Sequence, residues 1–90
     1  MTDLRKLRVQ GGAYLLRLRQ NAELSQRQLA DAVGIEFHTY IAQLESGAGK
    51  PPEGLWPHFA LAFGVDPVEF GREMVRYYHQ HIHSILNSND

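Results

Sequence analysis

The amino-acid sequence predicts an all-α domain of five helices, on two kinds of observation. Short apolar runs at helical spacing are closed by glycines that suit a helix end, Gly34 and Gly64. Start signals precede two of the runs: Ser25 with Gln28 three residues on, and Asp66-Pro67 with Glu69. The best-defined stretch runs from Leu24 to Gly47 and reads as a helix, a glycine turn and a second helix.

Ser25 is a good N-cap, because its hydroxyl accepts from free backbone N–H groups of the next turn. Gln28 completes a capping box, and Leu24 with Leu29 fits a hydrophobic staple. Leu29, Ala32 and Val33 give this helix an apolar face. Ala30 is small enough to let two helices cross closely. Gly34 supplies the left-handed turn that side-chain-bearing residues avoid. Ile35, Ile41 and Leu44 are the apolar anchors of the segment after the turn. A short helix, a glycine and another short helix form the layout of a helix-turn-helix.

The rest of the chain divides around that stretch. Residues 1–10 mix Leu4, Leu7 and Val9 with Arg5, Lys6 and Arg8, and read as an N-terminal arm. Either a basic strap along a polyanion or a helical turn packing its leucines fits, and we favour packing. Gly11-Gly12 is expected to interrupt any helix, at about 1 kcal/mol per glycine. A first helix then spans about Gly12 to Asn21, with Leu15, Leu18 and Ala22 inward. Gly47-Ala48-Gly49-Lys50-Pro51-Pro52 is a loop. A fourth helix starts near Pro52 or Glu53, kinks at Pro57, and runs through Phe63, with Trp56, Phe59, Ala60 and Phe63 in the core. The fifth helix is expected from Pro67 to about Leu86, striped by Phe70, Met74, Tyr78 (or Tyr77), His81 and Ile85. Asn87-Ser88-Asn89-Asp90 is a polar tail.

Ninety residues make one small domain. With no cysteine there is no disulfide, thiolate nucleophile or Cys-ligated zinc. No apolar run approaches membrane-spanning length, and Met1-Thr2-Asp3-Leu4-Arg5 lacks the core of a signal peptide, so a cytoplasmic location is expected. Net charge is −1, but its distribution is uneven. Residues 1–50 carry seven Lys/Arg against five Asp/Glu, and residues 51–90 carry two against five. A basic front and an acidic back suit a domain that shows one face to phosphate.

Leu24-Ser25-Gln26-x-x-Leu29-Ala30-x-x-Val33-Gly34-Ile35, then Ile41-x-x-Leu44-Glu45-x-Gly47, resembles the phage repressor and Cro family, the XRE-type helix-turn-helix regulators. Leu55, Phe59-Ala60, Phe63-Gly64-Val65-Asp66 and Pro67 continue the pattern, so the resemblance covers residues 12 to about 70. It implies a five-helix lambda-repressor-like DNA-binding domain over residues 11–70, with the helix-turn-helix at about 25–46. The fifth helix, residues 66–86, extends past the usual end of that domain. Its Tyr78, Ile82, Ile85 and Leu86 need a partner, either the domain's own surface or a second copy; a homodimer is the expectation and a protein partner the alternative.

By that resemblance the third helix enters the major groove and the second lies across the backbone. His38, Thr39 and Gln43 then reach base edges, where Gln43 suits adenine N6 and N7. Gln26, Arg27, Ser46 and Lys50 fall to the DNA backbone. An acid at Glu45 pairs with a base of the first helix, here Arg19. Two departures stand out. Glu23 sits where the family usually has glycine, so it is either strained or the helix ends differently. One extra residue lies between Gly34 and Gly47, either in the turn near Glu36-Phe37, which we favour, or as a bulge within the third helix.

Other chemistry is poorly served. No paired carboxylates, nucleophile–base pair or phosphate loop is present, so no enzyme and no cofactor are expected. His79 and His83 share a helical face, but two such ligands make a poor metal site. The family resemblance therefore implies a double-stranded DNA binder that regulates transcription. The rivals are an antitoxin-type autorepressor that also binds a toxin, and a protein-interaction module that keeps the fold without DNA.

Overall fold

The computed structural model describes residues 3–80 and 83. Among them are five α-helices and one 3₁₀ turn, in the order α1 (Leu4–Asn21), α2 (Gln26–Val33), α3 (Thr39–Ser46), the turn Glu53–Leu55, α4 (Trp56–Phe63) and α5 (Pro67–Tyr78). The class is all-α.

Helix α1 corrects two expectations. Its start is capped by Asp3, whose carboxylate accepts from the N–H groups of Arg5 and Lys6 at 3.0 and 3.3 Å. The N-terminal arm is therefore the first part of α1, and Gly11-Gly12 lies inside one unbroken helix. Packing offsets the poor helix propensity of these glycines. A Cβ at Gly12 would stand 2.5 Å from the carbonyl oxygens of Leu44 and Glu45 at the end of α3. A Cβ at Gly11 would stand 2.7 Å from the Tyr78 hydroxyl of α5 and 2.9 Å from Cβ of Tyr77. The pair is a notch into which two other helices fit. Of the leucines of the arm, Leu7 is half-buried and Leu4 is exposed.

The capping box of α2 is complete. Ser25 Oγ accepts from the Gln28 N–H at 3.0 Å, and Gln28 Oε1 accepts from the Ser25 N–H at 2.8 Å. Gly34 closes the helix at φ 80°. The buried face is Leu29, Ala30 and Val33; Ala32, expected inward, is exposed. After the turn, α3 opens tightly, with Tyr40 and Ile41 N–H groups reaching the Phe37 and His38 carbonyls at 3.0 Å each. It then runs without a bulge to Gly47, at φ 96°.

Pro57 makes no kink. The 3₁₀ turn ends at Leu55 and a new helix begins at Trp56, so Pro57 falls in the first turn of α4, where a missing N–H is harmless. Phe59, Ala60 and Phe63 are buried; Trp56 is half-buried, its indole N–H donating to the Pro51 carbonyl at 3.1 Å.

Helix α5 starts as expected, with Asp66 Oδ2 accepting from the Glu69 N–H at 2.9 Å. It is not continuous to Leu86. The backbone leaves the helix at His79 (φ −130°, ψ 64°) and is helical again at Gln80 and His83. The break lets the His79 ring pack edge-on against Trp56 at 5.6 Å and brings Nε2 within 3.0 Å of Glu53 Oε1. His81, Ile82, Ile85 and Leu86 lie outside the described residues. The core joins Leu15 of α1, the inner faces of α2 and α3, the rings of Phe59, Phe63 and Phe70, and Met74 and Tyr78 of α5.

Candidate nucleic-acid interface

Three helix ends meet at Glu45. Its Oε2 accepts from Arg19 Nε at 2.6 Å, and its Oε1 accepts from Arg19 Nη2 at 3.1 Å and from Gln26 Nε2 at 3.0 Å. Arg19 Nη1 donates to the Leu24 carbonyl at 2.8 Å. The Arg19 and Glu45 side chains are 14% and 6% exposed. A forked guanidinium on a carboxylate fixes direction as well as distance. This pair therefore sets how α3 is rotated against α1, and Gln26 brings the start of α2 into the same cluster.

That rotation decides what α3 shows outward. Ile41 and Leu44 point into the core at 1% exposure each, which leaves Thr39, Gln43 and Ser46 exposed. His38 is half-buried at the start of α3 and makes no side-chain capping bond. The Ser46 hydroxyl donates to the Gln43 carbonyl at 2.8 Å, so its proton is occupied within the helix. Arg27, in the first turn of α2, and Lys50, in the loop after α3, are exposed. Gln26 is half-buried; one amide N–H is committed to Glu45, and a primary amide has a second. The outer face of α3 is thus neutral and hydrogen-bonding, with cations only at its flanks.

Some residues fall elsewhere. Tyr78, expected on a free face as a dimerisation residue, is 6% exposed and sits in the domain's own core against Gly11. Its hydroxyl has no hydrogen-bond partner, and burial pushes its pKa up to about 12, against a smaller lowering by Arg8. The open groove along α5, lined by Trp56, Arg72, Arg76 and His83 among others, is separate from the α2–α3 face. Among the described residues no group of three His, Asp or Glu side chains is placed to hold a metal ion.

Sequence reasoning missed Arg8 and Tyr40. Arg8 Nη1 donates to the Gly49 carbonyl at 3.1 Å, and the Tyr40 hydroxyl donates to the Lys50 carbonyl at 2.9 Å. For Arg8 the available signal was the spacing of Leu7, Gly11, Leu15 and Leu18, which is helical once Gly11 counts as an inward position; no local pattern marks Tyr40.

A helix capped by Ser25, turned at Gly34 and followed by a second helix held by a buried ion pair defines a helix-turn-helix protein. Residues 10–72 match the family model described as helix-turn-helix domain, and the chain belongs to that family. No curated protein matches the chain. No helix among the described residues is long and apolar enough to cross a membrane.

Proposed function

We propose that this domain binds operator DNA in a sequence-specific way, with α3 in the major groove, and regulates transcription. The single observation behind this reading is the Arg19–Glu45–Gln26 cluster, which orients α3 so that Thr39 and Gln43 face outward. Gln43 presents an amide suited to adenine N6 and N7, and Thr39 offers a hydroxyl or methyl. His38 lies at the groove-facing start. Gln26, Arg27 and Lys50 serve the DNA backbone, helped by the amides at the start of α2, and Ser46 joins them only if its hydroxyl turns from the Gln43 carbonyl to a phosphate. The protein acts as a homodimer, assembled through Ile82, Ile85 and Leu86 after α5.

In vitro selection of bound duplexes from a random library tests the reading. A defined site should emerge, with affinity falling as salt rises. Gln43→Ala should cost about 1–3 kcal/mol on that site and relax preference at one base pair. Gln26→Ala should weaken all duplexes nearly alike. The neutral face of α3 favours one other reading, a protein-interaction module that has kept the fold. A chain that selects no duplex and shows no salt-dependent shift would overturn the DNA-binding reading and leave that alternative to be tested by partner binding.

A further inference from the structure

Helix α3 carries no Lys or Arg, so on the DNA-binding reading phosphate neutralisation near it falls to flanking cations, Arg27 and Lys50. Lys50 sits in a loop with two left-handed glycines, Gly47 (φ 96°) and Gly49 (φ 75°). Such a backbone has more freedom than most and would lose it on binding. The structure holds it from two sides. Arg8 Nη1 donates to the Gly49 carbonyl at 3.1 Å, and the Tyr40 hydroxyl donates to the Lys50 carbonyl at 2.9 Å. Val9 backs onto Gly47 so closely that a Cβ there would stand 3.0 Å from Val9 Cγ2 and 3.1 Å from Val9 Cα. Arg8 is itself seated, its guanidinium 5.5 Å from the centre of the Tyr78 ring. Residues 4–9 lie before the family match, which begins at residue 10.

We propose that Arg8 and Tyr40 are positioning residues for DNA binding. Arg8, from the first two turns of α1, and Tyr40, from the start of α3, together brace the Gly47–Lys50 loop, so that Lys50 meets a phosphate without first being ordered. This rests on the DNA-binding reading of α2 and α3. The brace makes no base contact, so its effect is the same on every sequence. Tyr40 carries no charge, so any loss of salt dependence on its removal must come through another group.

The test uses the full chain, a mixed-sequence duplex, and the variants Arg8→Ala, Tyr40→Phe and Lys50→Ala. Backbone relaxation of the Gly49 and Lys50 amides is read first, without DNA. Both brace variants should loosen these amides while the α2 and α3 amides keep their order. Each should then weaken duplex binding roughly three- to tenfold. Tyr40→Phe should lower the salt slope toward the value of Lys50→Ala, a drop of about 0.9. Arg8→Ala combined with Lys50→Ala should lower it no further than Lys50→Ala alone. Unchanged loop order in both variants overturns the brace, whatever the DNA result. A double variant whose slope falls by about twice 0.9 makes Arg8 a phosphate contact in its own right and also overturns it. A loosened loop with no binding by the wild-type chain instead removes the DNA-binding reading, and the positioning role with it.

Discussion

At its C-terminal end α1 meets α3 through Arg19 and Glu45; in its middle it meets α3 and α5 through Gly11 and Gly12. The first contact is made of charge, with two hydrogen bonds from the guanidinium to the carboxylate. The second is made of missing side chains. Charge fixes a direction but costs desolvation, so such a pair specifies geometry more surely than it adds stability. A glycine notch specifies nothing by attraction. It excludes every alternative with a larger residue and lets dispersion do the rest. The helix-turn-helix face is held by both devices, since Gly12 abuts α3 as well, and the α1–α5 seam by Gly11 alone.

The sharpest way to break this contrast is Gly12→Ala. Alanine is the better helix former by about 1 kcal/mol. Its methyl would nevertheless stand 2.5 Å from two backbone carbonyls of α3, which cannot rotate away as a side chain can. We expect a net loss of about 3 kcal/mol in urea denaturation, at the upper end of overpacking effects. A stabilised Gly12→Ala would mean that α1 and α3 are free to separate and that the notch is incidental.

The charged contact should respond less steeply. Glu45→Ala leaves Arg19 with its bond to the Leu24 carbonyl but strands most of a guanidinium that is 14% exposed. A loss of about 2–3 kcal/mol is expected, below the range for fully buried pairs. A cycle with Arg19→Ala should show strong coupling, whereas additive losses would mean the two side chains act separately.

These two contacts also mark what was legible in the sequence. Arg19 and Glu45 stood out because an acid and a base at set places in a recurring pattern imply each other. Ser25 and Gln28 were legible because a capping box closes within four residues, and its partners are local. Gly11 and Gly12 were not, because a glycine inside a helix looks alike whether it breaks the helix or admits a neighbour. What decides is Leu44, Glu45, Tyr77 and Tyr78, far along the chain. The end of α5 was hidden for the same reason: His79 leaves the helix where its ring meets Trp56 and Glu53, a tertiary contact that periodicity does not record.

Tyr78 sharpens the seam from the other side. Its hydroxyl is buried without a hydrogen-bond partner and lies where Gly11 leaves room. Tyr78→Phe removes that unsatisfied group, so at neutral pH stability should stay level or rise by up to about 1 kcal/mol. Alkaline pH gives the larger reading. The folded pKa, pushed by burial to about 12, exceeds the ordinary value of 10.0, so the native state binds this proton more tightly than the unfolded chain. That stability is fully present below pH 10 and is lost as pH rises toward 12, by about 3 kcal/mol at most. Tyr78→Phe should flatten this decline in denaturation midpoints measured between pH 9 and 11 (both values roughly bracketing the ordinary tyrosine pKa). An equal decline in both proteins would assign the effect to other groups, Tyr14 first, whose pKa is also raised by burial.

The smallest expected change tests a third device, the backbone turn that delivers Leu24 to Arg19. Glu23 adopts φ 60°, the one left-handed residue other than glycine among the described residues. Its N–H reaches the Gln20 carbonyl at 3.0 Å, and the Leu24 N–H reaches the Arg19 carbonyl at 3.2 Å, so the turn closes α1. An L-residue in this conformation is strained by about 1–2 kcal/mol, because its Cβ crowds the following carbonyl. Glycine has no Cβ, keeps both hydrogen bonds, and loses about 0.5–1 kcal/mol of that gain to the extra freedom of the unfolded chain. Glu23→Gly should therefore stabilise the domain by about 0.5–1 kcal/mol, seen as a higher urea midpoint with an unchanged slope. The Arg19 bond to the Leu24 carbonyl depends on the path of the turn and not on the side chain at residue 23. The gain should consequently persist in Glu45→Ala and add to its loss within about 0.5 kcal/mol. A gain that vanishes in that background would tie the strain at Glu23 to the ion pair, making the turn and the charged contact one unit.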